Sequence, residues 1–238
     1  MANFLLIHGS SHGAWCFGEL IDHLTALGHS AAAIDLPGHG DNPHPLQEIT
    51  LDLYRDAILD AIDEPVILVG HSMAGFPIAT AAETSPDKIQ RLVFLCAYAP
   101  RYGMSLVEMR KEAPRQPLME AIDRTDDGLG FFVRPGHIKK VFYHDCRDDQ
   151  IELAARRLCI QAIKPQATSI SLGQNYASVP KSYIRCDNDQ TIPPEYQETM
   201  TQGWPSEDVY AFDTSHSPFF ADPQGLALLL SKIAKDTE

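Results

Sequence analysis

A serine stands in the sequence where an apolar strand pattern gives way to a helical one. Residues 66 to 75 read Val-Ile-Leu-Val-Gly-His-Ser-Met-Ala-Gly, and Ser72 lies at the turn. A strand, a sharp turn bearing a serine and then a helix form a nucleophile elbow, which needs small residues where the two backbones approach. Gly70 and Gly75 provide that space, and Ala74 adds only a methyl group to the usual Gly-x-Ser-x-Gly pattern. The spacing therefore predicts a nucleophilic Ser72, against the alternative of a serine that caps a helix.

A serine nucleophile requires a histidine base and a carboxylate, which follow it in the order Ser, Asp, His in this kind of site. We predict His216 as the base, because it comes directly after the last strand pattern of the chain. Two aspartates, Asp187 and Asp189, follow another late strand pattern. We favour Asp189 as the orienting carboxylate, since it lies deeper in the loop, and Asp187 remains the alternative.

The oxyanion that forms when a serine attacks a carbonyl needs backbone N–H donors close to the serine. We predict the N–H groups of Met73, directly after the nucleophile, and of Ser10, in the loop after the first strand. Gly9, Ser11 and His12 belong to the same loop, and we expect them to contact the substrate.

The two histidines of the first loop, His8 and His12, could also be considered as metal ligands. No third and fourth ligand with the spacing of a metal site follows them, so we expect no metal. We expect His8 to brace the loop. Chemistry carried out by serine, histidine and aspartate side chains requires no cofactor either.

Strand patterns alternate with amphipathic helical segments along most of the chain. Several strands are almost wholly apolar, which is typical of parallel strands covered by helices on both faces. The alternation predicts an α/β fold with a doubly wound, mostly parallel sheet. The predicted strands are residues 3–7, 30–34, 66–69, 91–96, 181–186 and 208–212.

The alternation lapses between about residues 101 and 172, where charged residues, prolines and methionines are frequent. Residues 148–163 contain a helical candidate. We predict a small, mainly helical cap inserted in a single domain of residues 1–238, lying over the carboxyl ends of the strands. Four aromatic residues of the cap are candidates for the wall of an apolar site, although such residues more often belong to a core: Phe131, Phe132, Phe142 and Tyr143.

Charge and composition exclude several classes of partner. The 238 residues include 19 Lys and Arg against 32 Asp and Glu, a net charge of −13 that would repel nucleic acid. The first apolar run is too short for a signal peptide or a membrane span, and the five cysteines have no CxxC spacing. We expect a cytoplasmic protein with a small-molecule substrate and no nucleic-acid or membrane partner.

Four segments together resemble those of a known family: residues 6–15, 35–40, 70–75 and 189–193. Over nearly its whole length the chain is similar to the branch of the α/β-hydrolase superfamily that contains plant hydroxynitrile lyases, salicylate-binding methylesterases and bacterial esterases. The resemblance implies the α/β-hydrolase fold and a possible homodimer. It also implies a triad of Ser72, Asp189 and His216, with Ser10 and Met73 as oxyanion donors.

Two departures bear on the reaction. Hydroxynitrile lyases of this branch carry a threonine after the first-loop histidine and a lysine after the catalytic histidine, where this chain has Gly9 and Ser217. Without a cation near the leaving cyanide, lyase chemistry loses its electrostatic basis. We therefore expect a serine hydrolase, a carboxylesterase that cleaves a small or medium uncharged ester through an acyl-enzyme. A hydroxynitrile lyase, or a small-molecule receptor with vestigial hydrolase activity, remains an alternative.

Overall fold

Six parallel strands form the central sheet of the computed structural model, which describes residues 1–237. Their order is β2-β1-β3-β4-β8-β9, and each neighbouring pair is parallel. The strands are β1 (Asn3–Ile7), β2 (Ser30–Ile34), β3 (Val66–His71), β4 (Ile89–Leu95), β8 (Lys181–Cys186) and β9 (Val209–Phe212). The doubly wound α/β prediction is confirmed, and each predicted strand lies within two residues of an observed one.

Alternate residues of the strands pack into two separate apolar layers. In β1, Leu5 and Ile7 join one layer, whereas Phe4 and Leu6 join the other. Helices cover both faces, as parallel strands require. Of the six strands of this sheet, the edge strands β2 and β9 are half-buried or exposed, in contrast to the fully buried β3.

Six helices outside the segment between β4 and β8 flank the central sheet. They are α1 (Gly18–Ala26), α2 (Leu51–Asp60), α3 (Gly75–Thr84), α9 (Pro194–Met200), α10 (Pro218–Ala221) and α11 (Pro223–Lys235). Thr50 caps α2 by accepting a hydrogen bond from the N–H of Leu53, and Asp222 caps α11 in the same way through Gly225. Within residues 1–237, no helix is long and apolar enough to cross a membrane.

The segment between β4 and β8 contains short helices and a second sheet. The helices are α4 (Leu106–Glu112), α5 (Ile138–Phe142), α6 (Asp148–Arg157), α7 (Lys164–Ala167) and α8 (Gln174–Ser178). The sheet is antiparallel, with β5 (Ile122–Arg124), β6 (Gly130–Val133) and β7 (Gln161–Ala162) in the order β5-β6-β7. The division of the chain into a domain with a cap at about residues 101–172 stays a prediction.

Two details of this segment differ from the expectation. The helix expected over residues 148–163 ends at Arg157, because Leu158 takes an extended backbone conformation and the chain continues into β7. The small sheet was not predicted at all, since strands of two to four residues are too short to show an alternating pattern.

The parallel arrangement places the carboxyl ends of all six strands at one edge of the sheet. The loops that leave β1, β3, β8 and β9 at this edge contain, respectively, Ser10, Ser72, Asp189 and His216. A ligand site is expected at this edge of an open parallel sheet.

The start of α3 leaves no room for a side chain at Gly75. A Cβ there would overlap the backbone oxygen of Tyr98, whose N–H donates to the carbonyl of Ser72 at 3.1 Å. We predict that Gly75→Ala lowers the free energy of unfolding by about 1–3 kcal/mol, because backbone must move to admit the methyl group. Urea denaturation measures the change.

Gly18→Ala is the matched control for this substitution. Gly18 also has helical dihedral angles, but a Cβ there meets no atom within 4 Å. It should leave stability unchanged or raise it by up to about 1 kcal/mol. Equal losses in the two variants would contradict the close approach at Gly75.

Candidate active site

Ser72 lies directly after β3 in a conformation that few residues adopt. Its φ of 57° is in the left-handed region, which is unfavourable for a residue with a side chain. The strain turns the hydroxyl out of the strand direction, and Oγ lies 2.9 Å from Nε2 of His216. This is the geometry expected of a nucleophile elbow.

His216 follows β9, and two side chains contact its backbone carbonyl oxygen. Nε2 of His71 donates to the carbonyl oxygen of His216 at 2.7 Å, and Sγ of Cys96 lies 3.6 Å from the same oxygen. The ring of Phe142 stacks on the His216 ring with 5.7 Å between centroids. Backbone contacts and ring packing together leave the imidazole 1% exposed and fixed in orientation.

Asp189 is fully buried, and four hydrogen bonds fix its carboxylate. Oδ1 accepts from the N–H groups of Thr191 and Ile192 at 2.6 and 2.9 Å, and Oδ2 accepts from Nε2 of Gln197 at 2.9 Å. Nδ1 of His216 completes the set at 2.7 Å from Oδ2. These donors compensate for the removal of the carboxylate from water.

Asp187, the alternative carboxylate, faces solvent. It is exposed and accepts a hydrogen bond from Nε of Arg185 at 2.8 Å. The structure therefore brings Asp189, rather than Asp187, next to His216.

The direction of proton donation follows from these contacts. A carboxylate can only accept, so Nδ1 of His216 carries the hydrogen that is shared with Asp189. Nε2 of the neutral ring is then free to accept the hydroxyl proton of Ser72. Such a chain can activate a serine as a nucleophile.

The first loop passes directly beside Ser72. A Cβ at Gly9 would lie 2.8 Å from Cβ of Ser72 and 2.7 Å from Nδ1 of His71, so only glycine fits. The hydroxyl of the next residue, Ser10, accepts a hydrogen bond from Nε2 of Gln166 at 2.8 Å. Gln166 lies on α7 and is 4% exposed, so the segment between β4 and β8 holds the first loop in place.

His12 is locked into one neutral form. Its Nδ1 donates to the carbonyl oxygen of Ser10 at 2.7 Å, which leaves Nε2 to accept from the hydroxyl of Tyr143 at 2.6 Å. Burial lowers the pKa of His12 to about 3. His12 thus acts as a rigid wall of the site between the first loop and α5.

The remaining predicted residues of the loop are also buried. His8 braces the loop as expected, since Nδ1 contacts the carbonyl oxygen of Gly9 at 2.9 Å and Nε2 accepts from the N–H of Leu36 at 3.1 Å. Both nitrogens of His8 are therefore occupied. Ser11 has a φ of 63°, and its N–H donates to Oε1 of Gln161 at 3.3 Å.

The four aromatic candidates separate into different environments. Phe142 packs on His216, and the hydroxyl of Tyr143 contacts His12, so these two belong to the wall of the site. Phe131 lines a neighbouring cavity of about 300 Å³, whereas Phe132 is 37% exposed.

The sequence patterns did not predict four residues that position the site: His71, Cys96, Gln166 and Gln197. His71 directly precedes Ser72 in the elbow motif, so its position in the sequence could have indicated a role at the site. Cys96 has a φ of 35° just after β4, and Gln197 lies eight positions after Asp189 on α9. No local pattern marks either of these two, because packing across the sheet brings them to the site.

Four buried histidines surround the site, and burial is the first cause that holds each pKa below its ordinary value: His8, His12, His39 and His71. Unfolding exposes these rings, whose ordinary pKa is about 6.5. Below that pH the unfolded chain binds protons that the folded protein does not, so stability falls as the pH falls. For His12 the window extends from about pH 6.5 to about pH 3.

We predict a free energy of unfolding that decreases between about pH 6.5 and pH 4, with about 1.4 kcal/mol per pH unit from His12 alone. His12→Gln should reduce this slope, because glutamine does not titrate. His44→Gln, at an exposed position, is the control for the substitution itself and should leave the free energy of unfolding at pH 7 within about 0.5 kcal/mol of the wild-type value. Urea midpoints at several pH values measure it, and identical slopes for His12→Gln and wild type would contradict the assignment.

Known proteins resemble this chain over almost its entire length. The sequence matches the Alpha/beta hydrolase family over residues 4–227. It is 33% identical to Methylesterase 7 of Arabidopsis thaliana, covering 97% of this chain and 95% of that protein. It is 32% identical to Norfluorocurarine synthase 1 of Strychnos nux-vomica, covering 98% and 95%.

A solved structure shows the same fold. The crystal structure of polyneuridine aldehyde esterase superposes with a TM-score of 0.87 at 25% identity, covering 98% of this chain and 99% of that one. The chain therefore belongs to the alpha/beta hydrolase family, in the branch that contains the plant methylesterases.

Proposed function

We propose that this protein is a serine esterase that hydrolyses a carboxylic ester through an acyl-enzyme. The observation that carries the proposal is the continuous chain of hydrogen bonds from Ser72 through His216 to Asp189, with distances of 2.9 and 2.7 Å. The methylesterases and the esterase among the similar proteins support the same class of reaction.

In the first half of the reaction, His216 accepts the proton of Ser72 as Oγ attacks the ester carbonyl. The proton then passes from Nε2 of His216 to the leaving alcohol, and the acyl group stays on Ser72. Asp189 holds the imidazole in the required tautomer and stabilises its charged form. In the second half, His216 deprotonates a water that releases the carboxylic acid. Every proton is transferred by these side chains, so the cycle requires no cofactor.

The backbone N–H groups of Met73 and Ser10 stabilise the oxyanion in this proposal. Met73 begins the turn after the nucleophile, and Ser10 follows Gly9, the residue whose lack of a side chain lets the first loop approach Ser72. The hydrogen bond from Gln166 to the Ser10 hydroxyl fixes that loop before substrate arrives, which is how a preorganised oxyanion site gains its effect.

The structure also bears on the lyase alternative. A threonine at position 9 would collide with His71 and Ser72, since even a Cβ there lies within 2.8 Å of both side chains. At the other position, Ser217 is buried and carries no charge. No threonine fits at position 9 and no cation is present at position 217, so ester hydrolysis is the better fit.

Compartment and partners belong to the same proposal. We place the enzyme in the cytoplasm, because its five cysteines are free thiols, which persist in a reducing compartment. Its substrate is a small molecule, and its charge of −13 disfavours nucleic acid. A homodimer stays a prediction that the molecular mass in solution can test.

Replacing the nucleophile gives the first test of the function. We predict that Ser72→Ala lowers kcat/KM for p-nitrophenyl acetate by about 10³-fold or more, because the acyl-enzyme no longer forms. Ser178→Ala, at an exposed position, should keep wild-type activity. If wild type and Ser72→Ala are equally slow, the esterase proposal fails and the receptor alternative gains support. Cyanide release from mandelonitrile by wild type would instead support a lyase.

The two loop aspartates provide a matched pair of variants. Asp189→Asn should lower kcat by about 10³-fold to 10⁴-fold, because an amide favours the wrong tautomer of His216. Asp187→Asn should change kcat by less than about twofold, since Asp187 faces solvent. Steady-state kinetics with p-nitrophenyl acetate measures both, and a larger loss in Asp187→Asn would reverse the assignment.

A further inference from the structure

An arginine pair lines the cavity next to the first loop. The cavity has a volume of about 300 Å³ and lies among α4, α7 and the β5-β6 hairpin. Its wall contains Arg110 on α4 and Arg124 on β5, together with Gln166. The other lining residues are apolar: Val107, Met119, Ile122, Phe131, Ile163 and Ala167.

Gln166 connects this cavity to the reacting groups. Its side chain forms part of the cavity wall and donates to Oγ of Ser10, whose N–H is the proposed oxyanion donor. The side chain of Gln166 thus lies between this cavity and the first loop. A substrate with its carbonyl at Ser72 would bind beside that loop. The volume lies at the lower end of the range for small-molecule sites.

Among residues 1–237, neither guanidinium group of the cavity forms an ion pair with a carboxylate of the kind that other arginines form. Within residues 1–237, Nε of Arg110 is buried without any hydrogen-bond partner. The groups that influence its charge are Tyr98 and the like-charged Arg124, and no carboxylate is among them. Elsewhere the structure pairs arginines with carboxylates, as in Arg115 with Glu195 and Arg147 with Glu19.

A half-buried cation without a partner, such as Arg110, is unfavourable in an apolar wall unless something compensates for it. A buried polar group without a partner destabilises the fold, and two neighbouring positive charges repel. Burial lowers the pKa of Arg110, and the charge of Arg124 acts in the same direction. A bound anion would remove both penalties, since a carboxylate matches the planar donors of a guanidinium in a bidentate arrangement.

We propose that the substrate is an ester that also carries a carboxylate, which binds between Arg110 and Arg124 while the ester group lies at Ser72. Both arginines line the cavity, where Arg124 is exposed and Arg110 is half-buried. The apolar residues between them and Gln166 hold the hydrocarbon part of the same molecule. A monoester of a dicarboxylic acid has this chemistry.

This proposal rests on the proposed esterase function and replaces the uncharged ester expected from composition. The net charge of −13 describes the surface as a whole and does not determine the charge of one cavity.

Matched substrates separate the charge of the substrate from its size. We would compare kcat/KM for monomethyl adipate with that for dimethyl adipate, which lacks the carboxylate. A second pair, 4-acetoxybenzoate and phenyl acetate, places the carboxylate on the alcohol side. A preference of tenfold or more for the anionic member of either pair supports the proposal and shows which side enters the cavity. Equal or better use of both neutral members overturns it.

Variants then test which residues bind the carboxylate of the substrate. Arg110→Gln and Arg124→Gln should each raise KM for the preferred anionic ester at least tenfold, and by more than they raise KM for its neutral counterpart. Arg156→Gln removes an exposed charge on α6 and should alter neither value. An unchanged KM in both cavity variants, or equal losses on anionic and neutral esters, would contradict the arginine site.

A binding experiment distinguishes failure of this proposal from failure of the esterase function. If no ester is hydrolysed in a Ser72-dependent way, the esterase proposal fails. Titration calorimetry of Ser72→Ala with monomethyl adipate and with 4-acetoxybenzoate still measures binding at the anion site, because it requires no turnover. Binding of either anion that Arg110→Gln weakens tenfold or more supports the site, and absence of binding of both overturns it.

Discussion

The left-handed backbone of Ser72 is the constraint around which the site is built. A φ of 57° costs about 1–3 kcal/mol for a residue with a side chain, so the surrounding structure must impose it. Tyr98 donates to the carbonyl of Ser72, and Gly75 lets α3 begin against the same backbone. The loop after β4 and the start of α3 therefore determine where the hydroxyl points, and His216 meets it there.

Burial of several histidines around His216 has a common physical effect. Rings with a lowered pKa stay neutral near physiological pH, so they add no positive charge beside the imidazolium that the proposed reaction forms on His216. His71 contributes a hydrogen bond to the backbone of His216 in this neutral form, and His12 shapes the wall. The same side chains thus fix the position of His216 and keep additional positive charge away from it.

The sequence predicted the features that depend on residues close together in the chain. It did not predict those that depend on packing between distant residues. Apolar runs located the six strands, and the elbow spacing located Ser72, because both depend on neighbours in the chain. Whether Asp187 or Asp189 faces His216 depends on Gln197 and on two backbone N–H groups, a choice that the loop sequence left open. The short β7 escaped prediction for a related reason, since pairing with β6 defines it.

Gly9 and His71 are coupled by the space they share. Nδ1 of His71 has no hydrogen-bond partner within residues 1–237 and lies where a Cβ at Gly9 would go. A side chain could enter position 9 only after His71 had become smaller or had moved, and loss of His71 would in turn release the backbone of His216. The two positions are therefore coupled: a larger residue at position 9 requires a change at position 71, and that change removes a hydrogen bond from the backbone of His216.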